Sequence, residues 1–197
     1  MPLDLLIALT VFATVMAFTP GPNTIMLAAS GVNFGFNSTI PHMVGITVGF
    51  TVLLSAAAAG LGALFAAVPE LHVALKIAGG LYMVWLAWKV ATAHMAESTA
   101  GPSRPFTFLQ AAAFQWVNPK AVVIAITTIT LYVRPGHFGS DVAVMLFIMV
   151  VTTIGSVVAW TGFGVALRRL LRNPRRARIF NVSMALLLVA SIVPMVA

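Results

Sequence analysis

Phe18-Thr19-Pro20-Gly21-Pro22-Asn23 and Phe114-Gln115-Trp116-Val117-Asn118-Pro119-Lys120 each fall well inside a long apolar run. Proline lacks the backbone N–H and clashes with the preceding turn, so a helix carrying either motif must kink or break there. If the runs lie in a bilayer, the freed backbone groups cannot face lipid. They must be buried in protein or line a polar cavity. Two such breaks set the fold expectation.

The composition puts the runs in a membrane. Of 197 residues, 60% are hydrophobic and 8% charged, and the mean hydropathy is +1.03. Soluble domains carry roughly a quarter charged residues. Eleven Lys and Arg and four Asp and Glu cannot cover a water-facing surface, which excludes most soluble enzyme folds. With no cysteine there is no disulfide framework, thiolate metal site or dithiol relay. A net charge of +7 on a soluble chain would point to nucleic acid, but here the basic residues crowd into one short loop. No basic region precedes the first apolar stretch, which begins Met1-Pro2-Leu3-Asp4, so that stretch is expected to stay as a membrane helix.

A bilayer core needs about 20 apolar residues per helix. On that ruler the chain divides into about six spans, near 3–31, 39–67, 71–93, 107–133, 141–168 and 178–196. Short turn-rich connectors join them, and the longest polar stretch, about 94–106, reads as a solvated linker. The fold class expected is therefore an all-α polytopic membrane protein of one domain. Arg168, Arg169, Arg172, Arg175, Arg176 and Arg178 fill the loop at 168–178, and Lys89 and Arg104 flank the linker on the same side. The opposite side has little beyond Lys76 and Arg134. The positive-inside rule then places loop and linker in the cytoplasm and both termini outside. Binding of anionic lipid or nucleic acid is the functional alternative for that loop.

The breaks occupy matching positions in two three-helix halves, about 1–93 and 107–197. An odd number of spans per half makes the copies inverted. Many secondary transporters are built this way, with the substrate site at the repeat interface near mid-membrane. Lys120 sharpens the expectation, because a charge at a span's centre costs about 2.5–3.5 kcal/mol on insertion scales and is a functional-site candidate by default. It either bonds carbonyls freed at Pro119 or meets a bound carboxylate or gating partner. Mere packing kinks are the bland reading of the two proline motifs.

Other features carry less. Gly45 and Gly49 suit close helix packing, as do Gly79, Gly80, Gly155, Gly162 and Gly164. Tyr82, Trp85 and Trp88 climb one helical face, with Trp88 suited to an interface anchor. His42 could carry protons, although an interfacial histidine is the commoner case. Ser140-Asp141 reads as a helix N-cap rather than a proton site. No HExxH, GxSxG or phosphate loop is present, and four scattered histidines without a carboxylate cluster make no metal site, so neither an enzyme nor a cofactor is expected.

Thr19-Pro20-Gly21-Pro22-Asn23 and Asn118-Pro119-Lys120-Ala121 resemble the LysE/RhtB family of amino-acid exporters. Pro41-His42-Met43-Val44-Gly45-Ile46 and Gly80-Leu81-Tyr82 through Trp88-Lys89 add to the resemblance, which runs in order along the chain. It implies a bacterial inner-membrane protein that expels amino acids on the proton-motive force. The family branch that exports lysine and arginine carries an acid shortly after the Asn-Pro motif, where this chain has Ala121-Val122-Val123-Ile124-Ala125. With no acid deep in any span and Lys120 repelling cations, a neutral amino acid is expected, as in the RhtB-like branch. Pro20, Gly21, Pro22, Asn23, Asn118, Pro119 and Lys120 would bind it, the half-helix N-termini facing its carboxylate. Thr19, His42, Gln115 and Trp116 are candidates for lining or coupling. The coupling proton lacks an obvious carrier, and small-residue faces permit a homo-oligomer. The rival classes are a lipid-handling protein or intramembrane enzyme using the arginine loop, and a non-transporting membrane subunit.

Overall fold

Apolar runs with no strand alternation condense into helices, and the computed structural model shows helices and turns without a strand among its described residues. These are residues 1–61, 104–167 and 173–190, with Ile77, Leu81, Val84, Trp85, Ala87, Trp88 and Ala91 between them. Helix α1 spans Leu3–Phe18 and α2 Pro22–Phe34. Helix α3, Phe36–Ala56, runs into a π-helical turn at Ala57–Leu61, where Gly60 adopts φ 110° and kinks the second span. Helices α4 (Phe108–Val117), α5 (Pro119–Tyr132), α6 (Phe138–Leu167) and α7 (Pro174–Ala190) complete the described set. The seven described positions between 77 and 91 are helical, within the expected third span.

Segments Phe36–Gly60 and Phe138–Leu167 are long and apolar enough to cross a membrane, and α1 and α2, bent by 50° at their break, are so when taken together. Their outer faces are apolar at four-residue spacing. Leu3, Ile7, Val11 and Val15 are exposed on α1, and Ile40, Val44, Val48 and Val52 on α3. Such stripes are stable only against lipid. The chain is an all-α membrane protein.

Lipid tails are as apolar as leucine, so helices are held together by close packing rather than by hydrophobic drive. Glycine provides that closeness between the two halves of the chain. A Cβ at Gly45 would lie 2.8 Å from the Ala111 Cβ, and one at Gly49 would lie 2.5 Å from the Ala112 Cα. Helix α3 thus lies directly on α4. Gly31 and Gly164 meet Thr161 and Ala28 in the same way, pressing α2 onto α6. Gly162 plays no such part, since a Cβ there would have nothing within 4 Å. Gly79 and Gly80 lie outside the described residues. Leu9, Ala13, Phe50, Leu53, Ala125 and Met145 form the largest core cluster, shared by α1, α3, α5 and α6.

Two local expectations are corrected. Asp141 does not cap α6, which begins three residues earlier at Phe138. Its buried carboxylate accepts from the Arg134 Nε at 2.7 Å, Nη2 at 3.0 Å and backbone N–H at 3.2 Å, pinning the loop between α5 and α6. That hydrogen bonding also raises the Arg134 pKa above its ordinary value. His42 is not interfacial: it is 1% exposed, with its ring 5.2 Å from that of Phe106. The seating of α3 on α4 carries it inside. The linker at 94–103, Tyr82 and Arg168, Arg169 and Arg172 lie outside the described residues.

Candidate functional site

Both breaks are built alike. Helix α1 ends when Thr19 turns extended, its N–H still donating to the Val15 carbonyl at 2.9 Å. Gly21 is extended too, and Pro22 restarts the chain as the first residue of α2. Its missing N–H costs nothing there, because first-turn donors have no intrahelical partner. The Thr24 hydroxyl folds back on Gly21, accepting from its N–H at 2.8 Å and donating to its carbonyl at 2.9 Å. In the other half Asn118 ends α4 and caps α5, its side chain accepting from the Lys120 N–H at 3.2 Å. Pro119 is again the first helical residue.

The two breaks meet. In each, the residue after the proline reaches the other half of the chain. Asn23 and Gln115 form a reciprocal amide pair, Asn23 Nδ2 to Gln115 Oε1 at 2.8 Å and Gln115 Nε2 to Asn23 Oδ1 at 3.2 Å. Gln115 is fully buried and also donates to the Ala111 carbonyl at 2.9 Å, which commits both its amide hydrogens. The Lys120 Nζ donates to the Thr19 carbonyl at 2.7 Å. That acceptor is freed by the break in the other half, not by the one at Pro119. Gly21 leaves the room: a Cβ there would stand 3.0 Å from the Lys120 Cδ.

Between the breaks lies a cavity of about 70 Å3. Gly21, Pro22, Asn23, Asn118 and Lys120 line it, and the first turns of α2 and α5 both open on it. Among the described lining residues only Lys120 is ionisable. Ligand pockets typically occupy roughly 300 Å3 or more, so the cavity in this conformation is small for a substrate. Pro20 and Pro119 shape the breaks without being the groups presented. The Thr19 side chain is turned back to the Val15 carbonyl, leaving its backbone oxygen for Lys120. Trp116 packs, half-buried, against the core of α1, α3, α5 and α6. His42 lies one turn from the lining residue Ile46 and does not line the cavity itself.

Three polar lining residues were not anticipated from sequence: Thr24, Thr153 and Ser156. Ser156, on α6, donates to the Ala17 carbonyl near the end of α1. A hydroxyl in an apolar run is too common in membrane helices to stand out. Only its meeting with a broken helix marks it. Among the described residues no group of histidines and carboxylates is placed to hold a metal.

A family model described as LysE type translocator matches residues 14–192. The cysteine/O-acetylserine efflux proteins of Escherichia coli strain K12 and Shigella sonnei are each 32% identical over 187 residues, covering 94% of both chains. That of Salmonella choleraesuis is 31% identical over the same length. No solved structure gives a significant match. The chain belongs to the LysE-type translocator family.

Proposed function

We propose that this LysE-type translocator exports a neutral amino acid or a close derivative across the bacterial inner membrane, driven by the proton-motive force. The relatives named for cysteine and O-acetylserine efflux support a small, uncharged side chain. The observation that carries the reading is the convergence of two proline-started helix N-termini and one ammonium on a cavity whose described lining residues include no carboxylate.

That arrangement suits an α-carboxylate. Helix N-termini present unpaired N–H groups and partial positive charge, and Lys120 adds a full charge. The Thr19 carbonyl that Lys120 now holds is a neutral acceptor, and a carboxylate makes the stronger, charge-assisted bond. Substrate therefore replaces Thr19 as the partner of Lys120. Asn23 keeps one amide hydrogen beyond its bond to Gln115, available to the same carboxylate. The hydroxyls of Thr24, Thr153 and Ser156 suit a neutral polar group, and a cationic side chain would meet Lys120 with no counter-charge. Because the cavity is small, the halves must part to admit substrate, and rocking about the paired breaks would expose it to each side in turn. In this reading the arginine loop and the linker face the cytoplasm and the termini lie outside.

Mass spectrometry of amino acids inside and outside dipeptide-loaded cells tests the proposal. With the chain present, one neutral amino acid should fall inside and rise outside, and Lys120→Ala should abolish the change. If no amino-acid pool moves while the protein is folded in the membrane, the proposal fails.

A further inference from the structure

We propose that His42 is the proton-binding site that couples transport to the proton gradient, an inference resting on the export reading above. His42 is 1% exposed, and among the described residues neither ring nitrogen has a hydrogen-bond partner. A buried imidazole with both nitrogens idle is costly, since each unsatisfied polar atom forfeits about 1–3 kcal/mol. Such a group calls for an explanation beyond packing. Apolar contacts alone would be served better by Phe or Leu.

Its position supplies the explanation. The buried face of α3 runs from Thr39 through His42 to Ile46 and Phe50, and the last two line the central cavity. At 1.5 Å per residue, His42 sits about 6 Å along the helix from Ile46, between the cavity and the Phe36 end of α3. Helix α3 is also the element that glycines seat directly on α4, across the two halves. A group trapped in that seam is reached by water only when the halves separate.

Among the described residues no nearby charge would stabilise an imidazolium in the closed form. The rest of α3, all of α2 and all of α4 carry no ionisable side chain. Helix α5 offers Lys120, held on Thr19, and Tyr132 at its far end. Helix α6 offers Asp141, bound by Arg134. Arg104, before Phe106, and Arg175, Arg176 and Arg178 on α7 are exposed and of the wrong sign. An unpaired buried cation is strongly disfavoured, so His42 is neutral in the form with α3 seated on α4. Its nitrogen accepts a proton from water in one open state, crosses the closed state with it as the halves return without substrate, and gives it to water in the other. Substrate crosses with the ring neutral. Enclosing the charged ring is the uphill step that the gradient drives, and so proton movement is linked to the swing of the halves.

Liposomes containing the reconstituted protein and an isotope-labelled mixture of neutral amino acids, cysteine included, test this. The parent should exchange internal for external substrate without a gradient and accumulate it when a pH gradient is imposed. His42→Gln should keep exchange within about twofold and lose gradient-driven accumulation. Accumulation by His42→Gln equal to the parent's would overturn the proposal, as would loss of exchange together with accumulation, which marks a structural role. Exchange by the parent with no response to a pH gradient would overturn the proton inference alone. Failure of the parent to exchange any amino acid would instead sink the export reading. If His42→Gln does not insert, His42→Asn is read identically. Nuclear magnetic resonance of labelled histidine in the parent then reads the ring directly. A change from neutral to charged between about pH 5 and 8 during exchange is expected, and a ring neutral throughout would contradict the proposal.

Discussion

The two breaks share a backbone device and differ in chemistry. Each ends a helix, restarts it on a proline, and sends the next side chain into the other half. At the first break that side chain is Asn23, held by Gln115 through two neutral hydrogen bonds. At the second it is Lys120, held by one carbonyl that any carboxylate can outbid. One crossing is a strut and the other an exchangeable contact. Two breaks with the same backbone design can thus divide the labour of holding and releasing between their side chains.

Removing the exchangeable charge should have the largest effect. A hydrogen bond to a charged group is worth about 1.5–3 kcal/mol, so Lys120→Ala should weaken substrate affinity about 10- to 100-fold in exchange assays without lowering thermal stability. A stability loss with unchanged affinity would make Lys120 the strut. The amide pair should behave in the opposite way. Asn23→Ala and Gln115→Ala should each cost about 1–3 kcal/mol of stability, because each leaves the partner amide unsatisfied. The double variant should cost less than the sum of the two, and strict additivity in denaturation would show that the pair is uncoupled. Gly21→Ala probes the contact between the breaks. Its Cβ would meet the flexible Lys120 side chain at 3.0 Å and displace it from Thr19, so transport should slow by a few fold, an effect of about 1 kcal/mol. The smallest effect belongs to Gly162→Ala, in open space on α6, where stability should stay within about 0.5 kcal/mol and export should match the parent.

The breaks, the apolar helices and the glycine seam at Gly45 and Gly49 were legible because proline, apolar length and small-residue spacing act locally. The crossings were not. Lys120 meets Thr19 across 101 positions and Asn23 meets Gln115 across 92, and no local pattern encodes which freed carbonyl a lysine will find. Lys120 was marked by its cost, yet its partner lay in the opposite half. His42 looked interfacial because it stands near the start of a span. Burial came from α4 lying on Gly45 and Gly49, a contact between halves. Asp141 followed Ser140 as a cap would, but Arg134, seven residues before it, offered three donors to its carboxylate. Each miss concerns a group whose role is set by something distant in sequence or by a charge that outcompetes a local hydrogen bond.

The central claim is that a substrate carboxylate takes the place of Thr19 on Lys120. Competition in reconstituted exchange, comparing the transported amino acid with its own carboxamide, tests it most directly. The parent should favour the acid by about tenfold or more, as loss of a charge-assisted bond requires, and Lys120→Ala should bind acid and amide nearly alike. An undiminished preference for the acid in Lys120→Ala would contradict the claim and move the carboxylate site away from the paired breaks.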